Sequence, residues 1–463
     1  MGRTKIYNVD RIHSLITDTT RPTRKHCNAD AFIKALQKCF LAVPDARQAY
    51  KVEITMSDAL MSAFAMFSLK DPSLLAFDKR RKEEPENLHT VFGIKDIACD
   101  SQMREILDSV NPESLQCGFQ EIFRILQRGK DLEPMTVLGG QHYLVSGDGT
   151  GFYSSSKIFS DACLQKNLSN GTTIYQQQMY AAAIVHPDHR EVIPFRPEMI
   201  TPQDGKTKQD CEREAARRFY REFRRIHPHL KVIVTEDGLG SNGPHIRDLQ
   251  ELDLRYILGA KPGDHQFLFE QIDAAAARGE TTEWNVLNFD NTGKDHAFRF
   301  INGVALNKSN PDLLVNVLEY WEVDKAGKLT KFSWVTDLTI TKENAFEIMR
   351  AGRARWRIEN ETFNTLKNQG YNLGHNYGLG EKHLGAVFTT LMMLAFLVDQ
   401  AQQLSCWLFR AAGQKAESKR ALWEKIRNIF QSFPVASMET ILRCIAYGIQ
   451  GYRVEVIDDV PTG

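Results

Sequence analysis

The segment formed by residues 352–367 predicts a helix that carries a carboxylate on its apolar side. At about 100° per residue, Glu359 falls among the apolar side chains, which include Trp356, whereas Glu361 points elsewhere. An unpaired carboxylate in such a position is costly or becomes protonated. Glu359 therefore needs a partner, which is either a metal ion or Arg355, one turn earlier in the helix.

Two further segments end an apolar strand on an aspartate that is followed by glycine. They are residues 142–151, which contain Asp148, and residues 231–240, which contain Asp237. An aspartate at the carboxyl end of a buried strand holds its carboxylate at a sheet edge, and the glycine lets the chain turn sharply. Each segment alone is also typical of an ordinary turn. Together with Glu359, the two aspartates make an ordered set of three carboxylates.

Three carboxylates suit phosphoryl transfer on nucleic acid. In that reaction two Mg²⁺ ions about 4 Å apart activate the attacking oxygen and stabilise the leaving oxygen. Magnesium prefers oxygen ligands, and a few carboxylates hold it while the substrate phosphate completes its shell. The set Asp148, Asp237 and Glu359 therefore predicts a two-metal site.

The order Asp148, Asp237, Glu359, with the sequence Arg-Trp-Arg-Ile-Glu at the third site, resembles the DDE transposases of bacterial insertion sequences. The resemblance is to the branch whose last catalytic helix carries a Tyr-Arg-Glu-Lys signature, and it covers residues 50–400. A β-rich insertion before the final glutamate is a further point of similarity with this branch.

The signature has the spacing Y-x2-R-x3-E-x6-K, which Arg355 and Glu359 meet. Gly352 stands at the tyrosine position and Leu366 at the lysine position, and Lys367 follows one residue later. A register shifted by two residues is the alternative, with these residues at the four positions: Ala354, Arg357, Glu361 and Asn368. The position of Glu359 on the helix favours the first register.

The resemblance implies an enzyme that cleaves the ends of an insertion sequence and joins the 3′-OH to target DNA. Asp148, Asp237 and Glu359 would hold two Mg²⁺ or Mn²⁺ ions per active site. Arg355 and Lys367 would position Glu359 or the phosphate. The implied partners are double-stranded DNA, as element ends and as target, and a second copy of the chain, since two ends must be joined together.

Two alternatives stay open. One is a metal-dependent nuclease with the same core that does not transfer strands. The other is a non-catalytic DNA-binding protein on the same scaffold, such as a repressor of its own element. Divalent-metal dependence of cleavage separates the repressor from both enzymes, and joined products separate the transposase from the nuclease.

The order of the predicted elements indicates the fold class. Three strands, a helix, a parallel strand and a helix predict an α/β fold with an RNase H-like mixed sheet, interrupted by a β-rich insertion and flanked by helical N-terminal and C-terminal regions. We expect a helical DNA-binding region over residues 1–134, the first part of the core over 135–260 and the insertion over 261–338. The second part of the core, with the catalytic helix, would span 339–408, and a helical C-terminal region 409–463.

Three groups of residues are candidates for contacts beyond the carboxylates. The loop after the predicted helix could stack on exposed bases through Tyr371, His375 and Tyr377, or be an ordinary connection. The first fifty residues are locally basic, through Arg3, Lys5, Arg11, Arg21, Arg24, Lys25, Lys34, Lys38 and Arg47. The last helices combine basic residues with an apolar side suited to a subunit contact, formed by Trp407, Trp423, Phe430 and Phe433.

Composition limits the class of protein. The 463 residues are 42% hydrophobic and 25% charged, which is ordinary for a soluble globular protein. The 58 basic residues equal the 58 acidic ones, which argues against a protein that simply coats DNA. Eight scattered cysteines without zinc spacing suit a reducing cytoplasm. The apolar run at 384–398 is shorter than the ~20 residues of a membrane span, so we expect a cytoplasmic protein without a membrane partner.

Overall fold

The sheet at the centre of the molecule has twelve strands. The structure is a computed structural model that describes residues 23–202, 208–287 and 294–448. The strands are β1 (Thr136–Val137), β2 (His142–Ser155), β3 (Leu164–Asn167), β4 (Thr173–Val185), β5 (Ile193–Pro194), β6 (Glu198–Ile200), β7 (Val232–Glu236), β8 (Arg255–Gly259), β9 (Thr282–Leu287), β10 (Asp295–Asn307), β11 (Asn310–Val323) and β12 (Leu329–Thr336).

The strand order is β3-β4-β2-β7-β8-β12-β11-β10-β9, and β5 and β6 pair with β4. β2, β7 and β8 run parallel to one another, whereas β4 is antiparallel to β2 and β12 is antiparallel to β8. The sheet is therefore mixed, and strands β9 to β12 extend it on the far side of β8. The chain enters β7 through α7 (Lys208–Ile226), as expected for a crossover between parallel strands.

The segment predicted as β structure begins instead with a helix. After α8 (Gly243–Glu251) and β8, the chain forms α9 (Gln266–Ala277) before β9 begins. Leu268, Phe269, Ile272 and Ala275 are buried in α9, and their spacing of one, three and three residues follows one side of a helix. The insertion is therefore a helix followed by four antiparallel strands, which corrects the prediction of β structure from residue 267 onward.

All regular elements that the structure describes before residue 136 are helical, in agreement with the character predicted for that region. The α-helices are α1 (Ala29–Phe40), α2 (Met56–Ser68), α3 (Leu74–Glu83), α4 (Glu86–Phe92), α5 (Asp100–Asp108) and α6 (Gln116–Arg128). Asn28, Thr55 and Ser73 precede α1, α2 and α3, and each accepts a backbone N–H that the helix start would leave unpaired.

The last part of the chain is also helical, and it packs against the N-terminal helices. It contains α10 (Ala345–Arg353), a π-helix (Ile358–Phe363), α11 (Asn364–Asn368), α12 (Leu384–Ser405), α13 (Trp407–Ala416), α14 (Lys419–Ser432) and α15 (Met438–Tyr447). α12 packs against α2, α5 and α6 on one side and against β5 on another. Its length and composition alone would allow it to cross a membrane, but its side chains are buried against the rest of the chain.

The N-terminal and C-terminal helices share one hydrophobic core. The side-chain amide of Asn87 donates to the carbonyls of Phe430 and Phe433, 2.6 and 2.7 Å away. The carboxylate of Asp30 accepts the backbone N–H groups of Met438 and Glu439. The helices before residue 134 are therefore not a separate module, although they come first in the chain.

The basic N-terminal segment falls only partly within the described residues. Arg3, Lys5, Arg11 and Arg21 lie outside them. Arg24 forms an ion pair with Asp131 and donates to the carbonyl of Gly129 over 2.8 Å. Arg47 pairs with Asp45 over 2.6 Å. Two of the predicted phosphate contacts therefore already have partners within the chain, and DNA binding by this region stays a prediction.

Candidate active site on strands β2 and β7

Asp148 lies on β2, and Asp237 directly follows the neighbouring parallel strand β7. Ser146 of β2 is paired with Thr235 of β7, and each aspartate follows two residues later. Since side chains two residues apart point to the same face of a strand, both carboxylates belong to one region of the sheet. The backbone N–H of Leu239 donates to Asp237 over 2.9 Å, which orients that carboxylate at the start of the turn.

The strand that carries Asp148 does not end there. β2 continues to Ser155, and Asp148 is paired with Ala181 of β4. The glycines around Asp148 were predicted to start a turn, but pairing with the long strand β4 keeps this stretch extended as far as Gly151, where the register shifts. Asp148 therefore sits within a strand whose other neighbour, β7, ends at Glu236.

Residues 355–367, which we call the signature segment, cross one face of β2. The hydroxyl of Ser146 donates to the carbonyl of Arg355 over 3.2 Å. The ammonium of Lys367 donates to the hydroxyl of Thr150 over 2.8 Å. Ser146 and Thr150 flank Asp148 at a spacing of two residues, so the two contacts hold the segment, and Glu359 within it, across the strand that carries Asp148.

The signature segment is not a regular α-helix. It forms a π-helix from Ile358 to Phe363, and such turns often occur at functional sites. The wider turn changes which side chains share a side of the helix, so the prediction from α-helical periodicity is wrong. Trp356 is 53% exposed, and the side chain of Glu359 is 41% exposed rather than buried among apolar groups.

Both candidate glutamates are paired with an arginine one turn earlier. Arg355 contacts Glu359 over 2.7 Å, and Arg357 contacts Glu361 over 3.1 Å. Arg357 also donates to the carbonyl of Pro187 over 2.9 Å, away from the aspartates. The negative charge of Glu359 is among the causes that raise the pKa of Asp148. The geometry therefore favours Glu359 over Glu361 as the third carboxylate.

The carboxyl group of Asp148 is strongly perturbed. Burial is the largest cause that raises its pKa from 3.8 to about 7, followed by the negative charges of Glu212 and Asp237, with a smaller contribution from Glu359. The N–H of Gly149, 2.8 Å away, opposes the rise. The charges of three other carboxylates therefore act on Asp148, one more than the sequence predicted.

Glu212 is the carboxylate that sequence analysis missed. It lies in the first part of α7, and it precedes the buried residues Ala216 and Tyr220 by four and eight positions. This spacing places it on the side of α7 that faces the sheet. The helical spacing of Glu212 with Ala216 and Tyr220 was visible in the sequence. Its approach to Gly149 was not, because the two positions are far apart along the chain.

A second acidic group, Glu236, lies directly before Asp237 and is fully enclosed. Its carboxylate accepts hydrogen bonds from the hydroxyls of Tyr180 and Tyr220, the latter over 2.7 Å, and pairs with His245 over 2.8 Å. Burial raises the pKa of Glu236, but the charge of His245 and the hydrogen bonds outweigh it and leave the pKa lowered. This network supports the end of β7 from beneath, and sequence analysis did not identify it.

The donor set fits a divalent cation. Mg²⁺ and Mn²⁺ favour carboxylate oxygens, and a cation would neutralise the charge that accumulates around Asp148. In the described parts of the chain, however, no group of three His, Cys, Asp or Glu side chains is arranged so that it could hold a metal ion.

The three residues predicted to stack on bases do not share one environment. Tyr371 is buried and donates to Asp399. Tyr377 is buried, with its ring edge-on to Phe67 at 5.0 Å. The prediction is wrong for both tyrosines, because they pack into the core beside α12. His375 is exposed, and its DNA-binding role stays a prediction.

The apolar side of the last helices is also occupied within the chain. Trp423 and Phe430 are buried in the common core. Trp407 and Phe433 are half-buried and pack against it. The proposed subunit contact therefore cannot use this apolar side as predicted.

No protein-family model matches the chain, and no curated protein matches it. Among solved structures, the chain is similar to the piggyBac transposase in its synaptic complex with hairpin DNA. The two chains are 10% identical, with a TM-score of 0.40, over 92% of this chain and 84% of the other. This similarity is to a transposase, at a TM-score below the level that indicates a shared fold.

Proposed function

We propose that the chain is a metal-dependent DNA transposase with an RNase H-like core, of the DDE type found in bacterial insertion sequences. The observation that carries the proposal is the placement of Asp148 on β2 and of Asp237 directly after the neighbouring parallel strand β7, with the segment that contains Glu359 held across β2. It would cleave element ends and join their 3′-OH groups to target DNA in the cytoplasm.

The roles of the side chains follow from their positions. Asp148, Asp237 and Glu359 would hold two Mg²⁺ or Mn²⁺ ions, which activate the attacking oxygen and stabilise the leaving oxygen when bound. Arg355 holds the Glu359 carboxylate over 2.7 Å and so orients it. Lys367 fixes the far end of the signature segment to β2. One Asp side chain on a strand, one directly after a strand and a Glu on a tethered segment would thus be kept in a fixed relation before DNA binds.

The test uses the full chain, Mg²⁺ and DNA containing the sequences that flank its own gene. We expect strand cleavage and joined products, both of which disappear when a chelator removes the metal. Asp148→Asn, Asp237→Asn and Glu359→Gln should each abolish cleavage while the variant still binds the DNA. Glu361→Gln is the matched control, since it removes the neighbouring carboxylate with the same kind of arginine partner, and it should remain active.

The outcomes separate the alternatives. Cleavage without joined products would indicate a nuclease, and DNA binding without cleavage would indicate a non-catalytic repressor. If Glu361→Gln were inactive and Glu359→Gln active, Glu361 rather than Glu359 would be the third carboxylate that holds the metal ions. We also propose that two copies of the chain bind the paired element ends. Light scattering on the complex with DNA measures the number of protein chains in it.

A further inference from the structure

A cavity of about 370 Å³ lies among the last helices, apart from the three candidate carboxylates Asp148, Asp237 and Glu359. Its walls come from α12, α13 and α14, from Tyr371 in the loop after α11, and from Thr365 of the signature segment. Small-molecule sites in proteins typically have volumes of about 300–1,000 Å³. The cavity is therefore large enough for a small organic ligand.

The lining of this cavity is mainly apolar and rich in aromatic rings. Phe409 of α13 contributes to it, together with Leu422 and Trp423 of α14, and all three side chains are buried. Tyr371 adds another ring, and its hydroxyl already donates to Asp399. Aromatic side chains bind flat apolar groups well, because ring contacts add to the burial of apolar surface. The lining therefore suits a ligand with an aromatic body.

Lys419, the first residue of α14, is a cationic group that lines the cavity. In the parts of the chain that the structure describes, its ammonium makes no hydrogen bond and no ion pair. Burial lowers the pKa of this ammonium, although the charges of three carboxylates oppose the change: Glu361, Asp399 and Glu191. The last two also line the cavity. The ammonium is therefore partly withdrawn from water without an acceptor of its own.

The other charged groups around the cavity already have partners. Asp399 pairs with Lys70. Glu191 accepts a hydrogen bond from the side-chain amide of Gln403 over 3.2 Å, and Arg410 donates to the carbonyl of the same glutamine over 3.1 Å. A desolvated ammonium is costly unless an acceptor is supplied. An anionic group on a ligand would supply one, through charge-assisted hydrogen bonds.

We infer that this cavity binds a small organic anion with an aromatic body, whose anionic group accepts hydrogen bonds from the ammonium of Lys419. The buried rings of Phe409 and Trp423 would contact the aromatic body. The inference goes beyond the proposed function and does not depend on it. Since Thr365 belongs to the signature segment, a molecule bound here would touch the segment that carries Glu359.

The experiment titrates the folded full chain with anilinonaphthalene sulfonate, an aromatic anion whose fluorescence rises in apolar surroundings. Phenylnaphthylamine, the same molecule without the sulfonate, is the uncharged comparison. We expect saturable binding of the sulfonate to the wild type, and Lys419→Met should weaken it at least about tenfold. The same variant should bind the uncharged probe like the wild type. Lys425→Met, exposed on the same helix, is the matched control and should leave the binding of both probes unchanged.

Gly413→Leu tests the cavity while it keeps the charge of Lys419. A Cβ atom on Gly413 would lie 4.0 Å from Cδ2 of Leu422, which is an ordinary contact distance, and both residues line the cavity. Leucine also favours a helix more than glycine does, so the variant should fold. The larger side chain should remove the binding of both probes.

Three results would each overturn the inference. They are a wild type without saturable binding of the sulfonate, a Gly413→Leu variant that binds both probes like the wild type, and a Lys419→Met variant that binds the sulfonate like the wild type. Circular dichroism shows whether the variants fold. Should one of them not fold, the other still decides, because each is compared with the wild type separately. None of these results bears on the proposed function.

Discussion

The ammonium of Lys367 lies 2.8 Å from the hydroxyl of Thr150, two residues beyond Asp148 on the same face of β2. This contact joins the end of the signature segment to the strand that carries the central carboxylate. The π-helix changes the direction in which residues after Glu359 project, so a lysine one position later than the expected spacing reaches β2.

Replacing Lys367 by methionine should slow strand cleavage without removing the metal. The variant loses the link to Thr150, so Glu359 is less well positioned, and small misplacements cost about 100-fold in rate. Single-turnover cleavage at saturating Mg²⁺ measures the effect, and calorimetry should give unchanged Mn²⁺ affinity. Lys328→Met, in the exposed turn before β12, is the control. A wild-type cleavage rate for Lys367→Met would show that the contact is dispensable.

The raised pKa of Asp148 predicts a specific pH dependence for the metal-free protein. Between about pH 4 and about pH 7 the folded chain retains a proton on Asp148 that the unfolded chain has lost, so stability falls as the pH rises through this range. The loss is at most about 4 kcal/mol, which corresponds to the full shift from 3.8 to about 7.

The measurement is urea unfolding in the presence of a chelator at several pH values, with Asp148→Asn for comparison. The difference in unfolding free energy between the two proteins isolates Asp148 from the other groups that titrate in the same range. Asp148→Asn should gain stability relative to the wild type as the pH rises to about 7 and stay level above it. A difference that does not vary with pH would contradict the prediction.

Glu236→Gln should destabilise the protein by about 3 kcal/mol, because it leaves His245 buried without its counter-charge. The pKa of His245 is raised, since the charge of Glu236 outweighs the effect of burial. Its contribution to stability is therefore present below pH 6.5 and is lost as the pH rises through the raised pKa. Urea unfolding at mildly acidic pH measures the change, with Glu251→Gln on the exposed end of α8 as the control. Equal stability of Glu236→Gln and wild type would exclude a structural role for the pair.

The ion pair between Lys70 and Asp399 should behave as a buried pair that is costly to break. Lys70 is enclosed, with its ammonium 4.0 Å from the ring centre of Trp423, and burial lowers its pKa although Asp399 opposes this. Asp399→Leu alone should cost about 3–5 kcal/mol, because it leaves the lysine without a partner. The double variant Lys70→Met/Asp399→Leu should recover most of that loss. Urea unfolding of the two single variants and the double variant measures the coupling between Lys70 and Asp399. If the losses of unfolding free energy simply add in the double variant, the two residues are not coupled.

The parts of the site that sequence analysis predicted depend on local patterns. Asp148 and Asp237 each come shortly after an apolar run, at residues 143–145 and 232–234, and such runs are typical of buried parallel strands. Their adjacency then follows from the rules that govern crossovers between parallel strands. The aspartate pair could therefore be found from the sequence.

The remaining features depend on contacts between distant parts of the chain. The turn at Glu359 widens where residues 355 and 367 are tied to β2, and helical periodicity contains no information about those ties. Glu212 can approach β2 so closely only because position 149 lacks a side chain. Tyr371 could be interpreted as an exposed aromatic until Lys70 and Asp399 were seen to enclose it. Loop composition alone does not reveal such burial.

The sharing of α12 by the first and last helices has a consequence for how the chain is made. α2 is buried along nearly its whole length, and one of the helices that cover it is α12, which lies more than three hundred residues later in the sequence. At about 5–20 residues per second, a ribosome needs on the order of 15 to 60 s to synthesise the intervening chain. During that interval the side of α2 that packs against α12 has no native partner, although α1, α4 and α5 can already cover its other sides, so we expect the nascent protein to depend on chaperones until residue 405 has emerged.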